Sequence, residues 1–356
     1  MHHEEITIKG LRGLSEISIS DFKRVNLFVG RNNCGKTSVL EGLFMITGIS
    51  NPKIPITLNQ FRGIDYFLGD DKDYRLIFNE LDYENGVEIF TKTQSKERKL
   101  KIQPHYQVEN KEIKTTFDKD SFEKPDINTF RNNQAVDGLE YIFSSQNKEF
   151  KASIVQHGLM FNQRVSKNYK ENLLGTFVIP RTILDLLPER LNNLIIGKRK
   201  AGIIKVLQQV EPSIQDLSIG TNRIIYCDTG LNQLVPINVM GDGIRRMLSL
   251  VVTIADMKNG CVFIDEIENG LHYKSLEILW KTVFEAAKEY NVQIFATTHS
   301  YECISAFQKT FAYDKHPHDP DEIRLFRIEQ GKDKHIAHKM TNDMLETMLN
   351  ENWEVR

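Results

Sequence analysis

Apolar and polar positions divide the chain into three textures. At the start, "EEITIKG" (4–10) and "LSEISIS" (14–20) alternate, and "RVNLFVG" (24–30) runs nearly apolar. Together they predict three short strands separated by turns. A helix follows from about Gly35 to Thr47, with Val39, Leu40, Leu43 and Phe44 on its apolar side. From Pro52 to about Lys170 the texture changes to short β-like runs between charged turns: "YRLIFNEL", "GVEIFTKT", "KLKIQPHYQV", "LEYIFSS" and "ASIVQHGLMF". These predict an antiparallel insertion. Helical periodicity returns over 183–210, and "RIIYCDT" and "LVPINVM" then read as strands.

The last third is regular. A helix over 244–258 precedes the apolar run "CVFI" (261–264), and a helix over 273–290 precedes "VQIFATT" (292–298). Continuous apolar strands alternating with helices imply a parallel sheet covered on both faces. The segment 322–340 reads as a hairpin, and a short helix closes the chain.

With 356 residues, 40% hydrophobic and 26% charged, the chain suits one large domain with insertions or two domains. A formal net charge of −2 excludes a global basic field for nucleic acid but leaves room for a local basic face. Candidates for such a face are "SKERKLK" (95–101) and "GKRKAGIIK" (197–205). Cys34, Cys227, Cys261 and Cys303 form no C-x-x-C pair, so neither a zinc site nor a disulfide framework is expected. The N-terminal "MHHEEITIKG" is charged where a secretory leader is apolar, and no run has the length of a membrane span. The expected compartment is the cytoplasm, with no membrane partner. Residues 316–322, "HPHDPDE", read as a polar surface loop rather than a metal loop.

Candidate chemistry sits in four places. "GRNNCGKTS" comprises Gly30, Arg31, Asn32, Asn33, Cys34, Gly35, Lys36, Thr37 and Ser38, and matches G-x-x-x-x-G-K-[ST] between a predicted strand and helix. Its inward N–H groups and the helix N-terminus hold phosphates, Lys36 bridges the β- and γ-phosphates, and the Thr37 hydroxyl serves Mg²⁺. Asp265 and Glu266 close the strand "CVFI", at the sheet edge where α/β proteins bind ligands. Asp265 is the expected Mg²⁺ partner and Glu266 the expected general base for water. His299 ends the next buried strand and is a candidate to contact a γ-phosphate or fix the attacking water. Finally, "VMGDGIRRMLSLV" (239–251) places Gly241, Asp242 and Gly243 before an amphipathic helix, a second turn suited to an anion. The competing reading of that turn is a plain helix start capped by Asp242.

The order of P-loop, glycine turn with helix, Asp-Glu strand and His strand resembles the ABC-type ATPases. "VNLFVG" leading into "GRNNCGKTSVLEGL" is similar to the RecF, SMC and OLD group of chromosome and defence ATPases. The resemblance covers residues 1–60 and about 235–356. It implies an α/β P-loop NTPase head with a mixed sheet flanked by helices, and an inserted β-rich and helical lobe over 61–234. It also implies ATP and Mg²⁺ as ligands and a head-to-tail dimer in which Gly241–Gly243 of one chain faces the ATP of the other. Family signatures commonly carry a serine where this chain has Met240 and Gly241; Arg245 or Arg246 is a candidate to compensate with charge. Gln60 is assigned by the resemblance to a Q-loop contact with Mg²⁺ or water. The 57 residues after His299 leave no room for the nuclease domain that OLD-type proteins carry. A stand-alone ATPase is therefore expected, with any effector, such as a nuclease, on a separate polypeptide.

The leading functional expectation is an ATP-hydrolysing switch that controls a partner effector or DNA, with phage defence as a setting. The alternatives are a non-turnover ATP-bound scaffold that sequesters an effector, and a RecF-like DNA-repair clamp.

Overall fold

The computed structural model describes residues 2–64, 72–93, 96–106, 136–145, 148–157, 160–180, 184, 186–311 and 322–351. The first strands are β1 (His3–Leu11), β2 (Leu14–Ser20) and β3 (Val25–Val29), followed by α1 (Lys36–Thr47), α2 (Ile54–Phe61) and a single turn, α3 (Lys72–Arg75). Five strands come next: β4 (Val87–Thr93), β5 (Lys96–Tyr106), β6 (Val136–Ser145), β7 (Lys148–His157) and β8 (Met160–Val165). Then come β9 (Gly175–Val178), α4 (Leu187–Ile196), α5 (Lys200–Leu207), β10 (Asp216–Ile219), β11 (Ile225–Asp228) and β12 (Val235–Pro236). The last third holds α6 (Asp242–Asp256), β13 (Cys261–Ile264), α7 (Leu276–Glu289), β14 (Gln293–Thr297) and α8 (Tyr301–Phe311). Strands β15 (Ile323–Gln330) and β16 (His335–Met340) and helix α9 (Asn342–Asn350) end it.

Among the described residues these strands form three sheets. The central one has the order β16-β15-β3-β14-β13-β9, with five parallel strands and β16 antiparallel at the edge. The second is a seven-stranded antiparallel sheet, β2-β1-β4-β5-β6-β7-β8, and β10-β11-β12 make a small third one.

Strand alternation assigns the two faces of the central sheet. Val25, Leu27, Val262, Ile264, Ile294, Ala296 and Leu325 face α4 to α8 in one core. Phe28, Phe263, Phe295, Phe326 and Phe177 face α1 and the antiparallel sheet in the other. This second face is a row of aromatic rings across neighbouring strands. Phe263 stacks on Phe295 at 5.5 Å, Phe28 meets Phe326 at 5.8 Å, and Phe44 of α1 reaches Phe177 and Phe263. Helix α1 is consequently enclosed between two sheets. Its apolar stripe is wider than the sequence pattern alone required, and even Glu41 is buried.

The structure corrects several expectations. Segment 61–234 does not separate from the core as an inserted lobe. Strand β4 pairs with β1, so β4–β8 extend the sheet begun by the N-terminal hairpin. Strand β9 forms the edge of the central sheet beside β13. "YRLIFNEL" is no strand: Tyr74, Ile77 and Phe78 are buried at helical spacing, and only Phe78 bridges to Leu11. The helical stretch near 183–210 is two helices, broken at Gly197 and Lys198, the latter at φ +57°. "LVPINVM" keeps only Val235–Pro236 as strand. All four cysteines are free and buried. Within 316–322 only Glu322 is described, paired with Arg24; the rest of that loop lies outside the described residues. No described helix is long and apolar enough to cross a membrane.

His3 ties the two sheets to α1. Its ring nitrogens lie 2.9 Å from the hydroxyls of Thr91 and Thr47, and its N–H donates to Gln293 at 2.8 Å. Burial, reinforced by Arg98, pushes its pKa down to about 3. The unfolded chain therefore binds a proton between about pH 6.5 and pH 3 that the folded chain refuses. Stability is complete above pH 6.5 and falls as pH drops through that window, by about 1 kcal/mol per pH unit at its steepest. Urea melts at pH 7 and pH 5 should show a smaller loss of stability for His3→Gln than for the wild-type chain.

Candidate active site

Register places the chemistry. Ile264 of β13 pairs with Ala296 of β14, and Ala296 with Leu27 of β3. One residue further along each strand come Asp265, Thr297 and Phe28; just beyond lie Glu266, His299 and the loop starting at Gly30. Parallel pairing thus delivers three distant segments to one sheet edge.

The loop from Gly30 to Gly35 wraps tightly. Gly30 has φ +141°, and a Cβ there would sit 2.4 Å from the Ile328 carbonyl oxygen and 2.8 Å from Cys34 Sγ. Gly35 caps α1 at φ +91°, with Leu14 Cδ2 2.5 Å from a would-be Cβ. Both positions therefore admit only glycine without rearrangement. Lys36 folds over the loop, its ammonium donating to the carbonyls of Gly30 (2.7 Å) and Arg31 (2.8 Å).

A hydrogen-bond chain joins the loop to the carboxylates. The Thr37 hydroxyl donates to Asp265 Oδ1 at 3.0 Å, and the Thr297 hydroxyl donates to the same oxygen at 2.6 Å. Thr297 Oγ1 in turn accepts the Glu266 N–H at 2.9 Å. Thr297 therefore fixes both acids, and it holds Glu266 at φ +50°, a backbone state uncommon for glutamate. Burial raises the pKa of Asp265, and the two threonine hydroxyls act against that rise. Glu266 is half exposed, and His299 Nδ1 lies 3.7 Å from its Oε1.

A cavity of about 420 Å³ collects these groups. Its lining includes Asn32, Asn33, Cys34, Gly35, Lys36, Thr37, Ser38, Asp265, Glu266, Thr297, Thr298 and His299. Arg12 and Arg62 line its rim. Both guanidinium groups are held by buried Glu41: Arg12 pairs with Oε2, and Arg62 Nε donates to Oε1 at 2.7 Å. Arg12 also donates to the Leu76 carbonyl and to Asn59 Oδ1 at 2.7 Å. Three cations, the open N-terminus of α1 and two carboxylates suit a polyphosphate with a hard cation.

Most residues singled out from sequence meet here; some do not. Arg31 lines a neighbouring cavity of about 460 Å³ with Arg327–Gln330. Gln60 lies exposed on α2 and is not in the cavity lining; Arg62, two residues on, is. Gly241, Asp242 and Gly243 also stand outside the cavity of their own chain. A Cβ on Gly241 meets nothing within 4 Å, so the approach to this turn is open. Asp242 does not cap α6 but pairs with Arg245 at 2.8 Å, and Arg246 is buried rather than turned to the open side. Arg12, Glu41 and Thr297 were not found from sequence. Arg12 stands in a strand turn 18 residues before the loop, and only the hairpin brings it back.

These features define an α/β P-loop nucleotide-binding domain. A family model described as "AAA domain, putative AbiEii toxin, Type IV TA system" matches residues 25–305, and the chain belongs to that family. A Helicobacter pylori protein named ATP/GTP phosphatase is 25% identical over 356 residues, covering 92% of each chain. An uncharacterized Methanocaldococcus jannaschii protein is 40% identical over 65 residues, 18% of this chain and 57% of that protein. Among solved structures, the SmcHead bound to the C-winged helix domain of ScpA superposes with a TM-score of 0.51 at 10% identity. That match covers 98% of this chain and 100% of the other, and it shows the fold.

Thr297→Val keeps the side-chain volume and removes both hydrogen bonds. It should raise the Mg²⁺ concentration for half-maximal ATP turnover about tenfold and lower stability by about 1–3 kcal/mol. A magnesium titration of phosphate release and a urea melt measure the two effects.

Proposed function

We propose that the chain binds ATP with Mg²⁺ and hydrolyses it as a switch that closes head to tail with a second copy. One observation carries this reading: P-loop, Asp265, Glu266 and His299 line a single cavity, with Arg12 and Arg62 at its rim. The name of the Helicobacter pylori relative supports nucleotide phosphatase activity as the reaction.

Thr37 and Asp265 present hydroxyl and carboxylate oxygens 3.0 Å apart, a donor set that fits Mg²⁺. The ion, when bound there, would supply charge neutralisation for the β- and γ-phosphates. Lys36 would leave the loop carbonyls for phosphate oxygens. Glu266, held by Thr297 and exposed to solvent, would take the proton from the attacking water, and His299 would fix that water or the γ-phosphate.

The head-to-tail arrangement is supported by the glycine turn. The first turn of α6 has no side-chain cap, opens to solvent and lies outside its own chain's cavity. Its free N–H groups would meet the phosphate held by the partner copy. The switch would act on a separately encoded effector, with phage defence as one setting; the family description supports a toxin–antitoxin setting.

The DNA-clamp alternative draws less support. Arg199 donates to the Ala255 carbonyl, and Lys200 pairs with Asp216 at 2.7 Å. In the other basic stretch, Arg98 is buried against Glu171 and Lys101 pairs with Glu88. These cations already have protein partners.

Glu266→Gln should bind ATP yet lose at least 100-fold in phosphate release. In the presence of ATP and Mg²⁺ its mass by light scattering should double, and Gly243→Trp in the same background should abolish the doubling. Normal turnover by Glu266→Gln would remove Glu266 as the base. Tight ATP binding at unchanged mass would favour the non-turnover scaffold over the two-copy switch.

A further inference from the structure

The two edges of the seven-stranded sheet differ. Strand β2 packs beside β16, and the Ser15 hydroxyl donates to the Asp333 carbonyl there at 2.9 Å. Strand β8 ends the sheet at the other side, and among the described residues no strand pairs with its outer edge. A free edge presents a row of unpaired N–H and C=O groups, which proteins commonly blunt with lysine, proline or a bulge. The β8 sequence "MFNQRV" has no lysine and no proline. Its pairing with β7 runs without a register shift from Met160–His157 to Val165–Ala152. Two of its apolar side chains are open to solvent, Met160 at 74% and Val165 at 38%.

Hydrogen bonding decides which backbone groups are on offer. The Ser166 N–H donates to the Lys151 carbonyl at 3.0 Å. Antiparallel alternation then turns the N–H and C=O of Arg164 and Asn162 toward β7, and those of Phe161, Gln163 and Val165 outward. The side chains of these last three share a face with their β7 partners Gln156, Ile154 and Ala152. That is the core side of the sheet, where Phe161 packs.

Such a strand fits a second copy of itself. In an isologous antiparallel pair the two-fold axis stands normal to the sheet, so residues opposite one another lie on the same face. With the axis at Gln163, Phe161 of one copy faces Val165 of the other, the two Gln163 amides face each other, and Asn162 faces Arg164. Apolar meets apolar twice, and the one charged side chain meets an amide. An axis at Asn162 sets Phe161 against Gln163 and Met160 against Arg164. An axis at Arg164 opposes two like charges. Of the three, the axis at Gln163 alone matches every pair.

We propose that β8 is a self-association edge: two copies pair through it, centred on Gln163, and join their seven-stranded sheets into one. The occupant is a second copy of this chain rather than an unrelated strand, because the strand complements itself. The pairing needs no nucleotide and involves no residue of the phosphate cavity. It goes beyond the ATP-switch reading and stands or falls apart from it. Closure through α6 would then join pairs of chains rather than single ones.

The test uses the full, nucleotide-free chain. Sedimentation equilibrium over a dilution series should give twice the mass of one chain at the concentrated end. Gln163→Pro removes an outward N–H without touching the bonds to β7, and should raise the dimer dissociation constant at least about 100-fold. Gln163→Lys opposes two like charges at the axis and should raise it at least about tenfold. Circular dichroism of both variants should match the wild-type chain. Register is read by cysteine pairing, since the four native cysteines are buried. Under mild oxidation Gln163→Cys should give a disulfide-linked dimer, its two Cα atoms standing about 5.5 Å apart, and Asn162→Cys should not.

A wild-type chain that keeps the mass of one chain across the series would overturn the inference and leave ATP-driven closure untouched. So would a dimer indifferent to both Gln163→Pro and Gln163→Lys, or Asn162→Cys linking more readily than Gln163→Cys. If Gln163→Pro does not fold, Gln163→Lys and the two cysteine variants carry the comparison.

Discussion

The parallel pairing of β3, β14 and β13 is the constraint on which everything else in the molecule depends. Its register puts Ile264, Ala296 and Leu27 side by side, so the residues that follow leave the sheet at one edge. A slip of one residue would exchange the faces of a strand. Phe295 would leave the aromatic row for the helical side, and Thr297 would lose its place between Asp265 and Glu266. The same contacts that bury the core therefore specify the site to within a hydrogen bond. Packing and chemistry are not separable here.

Helix α1 shows what such enclosure entails. Because sheets cover both of its sides, nine of its 12 residues are buried, and its N-terminus has little freedom to drift. Glu41 lies on this helix, and its buried carboxylate would be unfavourable alone. Arg12 and Arg62 neutralise it, and in doing so both cations are held at the cavity that the P-loop lines. At the other end of α1, Arg98 donates to the Thr47 carbonyl while pairing with Glu171. The helix is thus held at its middle and at its C-terminal end by charges that the turns, the loops and the antiparallel sheet supply.

The second phosphate-suited turn has the opposite character. The head of α6 is open, uncapped and outside the cavity, but one turn further along Arg246 is buried.

Much was legible in the chain itself. Glycines at 30 and 35, Lys36 and Thr37 follow a run of apolar residues, and their spacing marks the loop, although Ile328 and Leu14, distant in sequence, help to exclude a Cβ at the two glycines. Asp265, Glu266 and His299 could be assigned because each closes an apolar run, and strand ends of a parallel sheet share an edge. Period and spacing determined those features since they are local. The partners of Glu41, the double role of Thr297 and the burial of Arg246 depend on segments far apart in sequence. So does the continuity of β1 with β4, which merges the expected lobe into the core. Gln60 and Arg62 illustrate the limit: two residues apart on one helix end, they differ only in the direction they face. Direction is settled by what packs around a helix end, and here Glu41, buried between two sheets, drew the arginine inward.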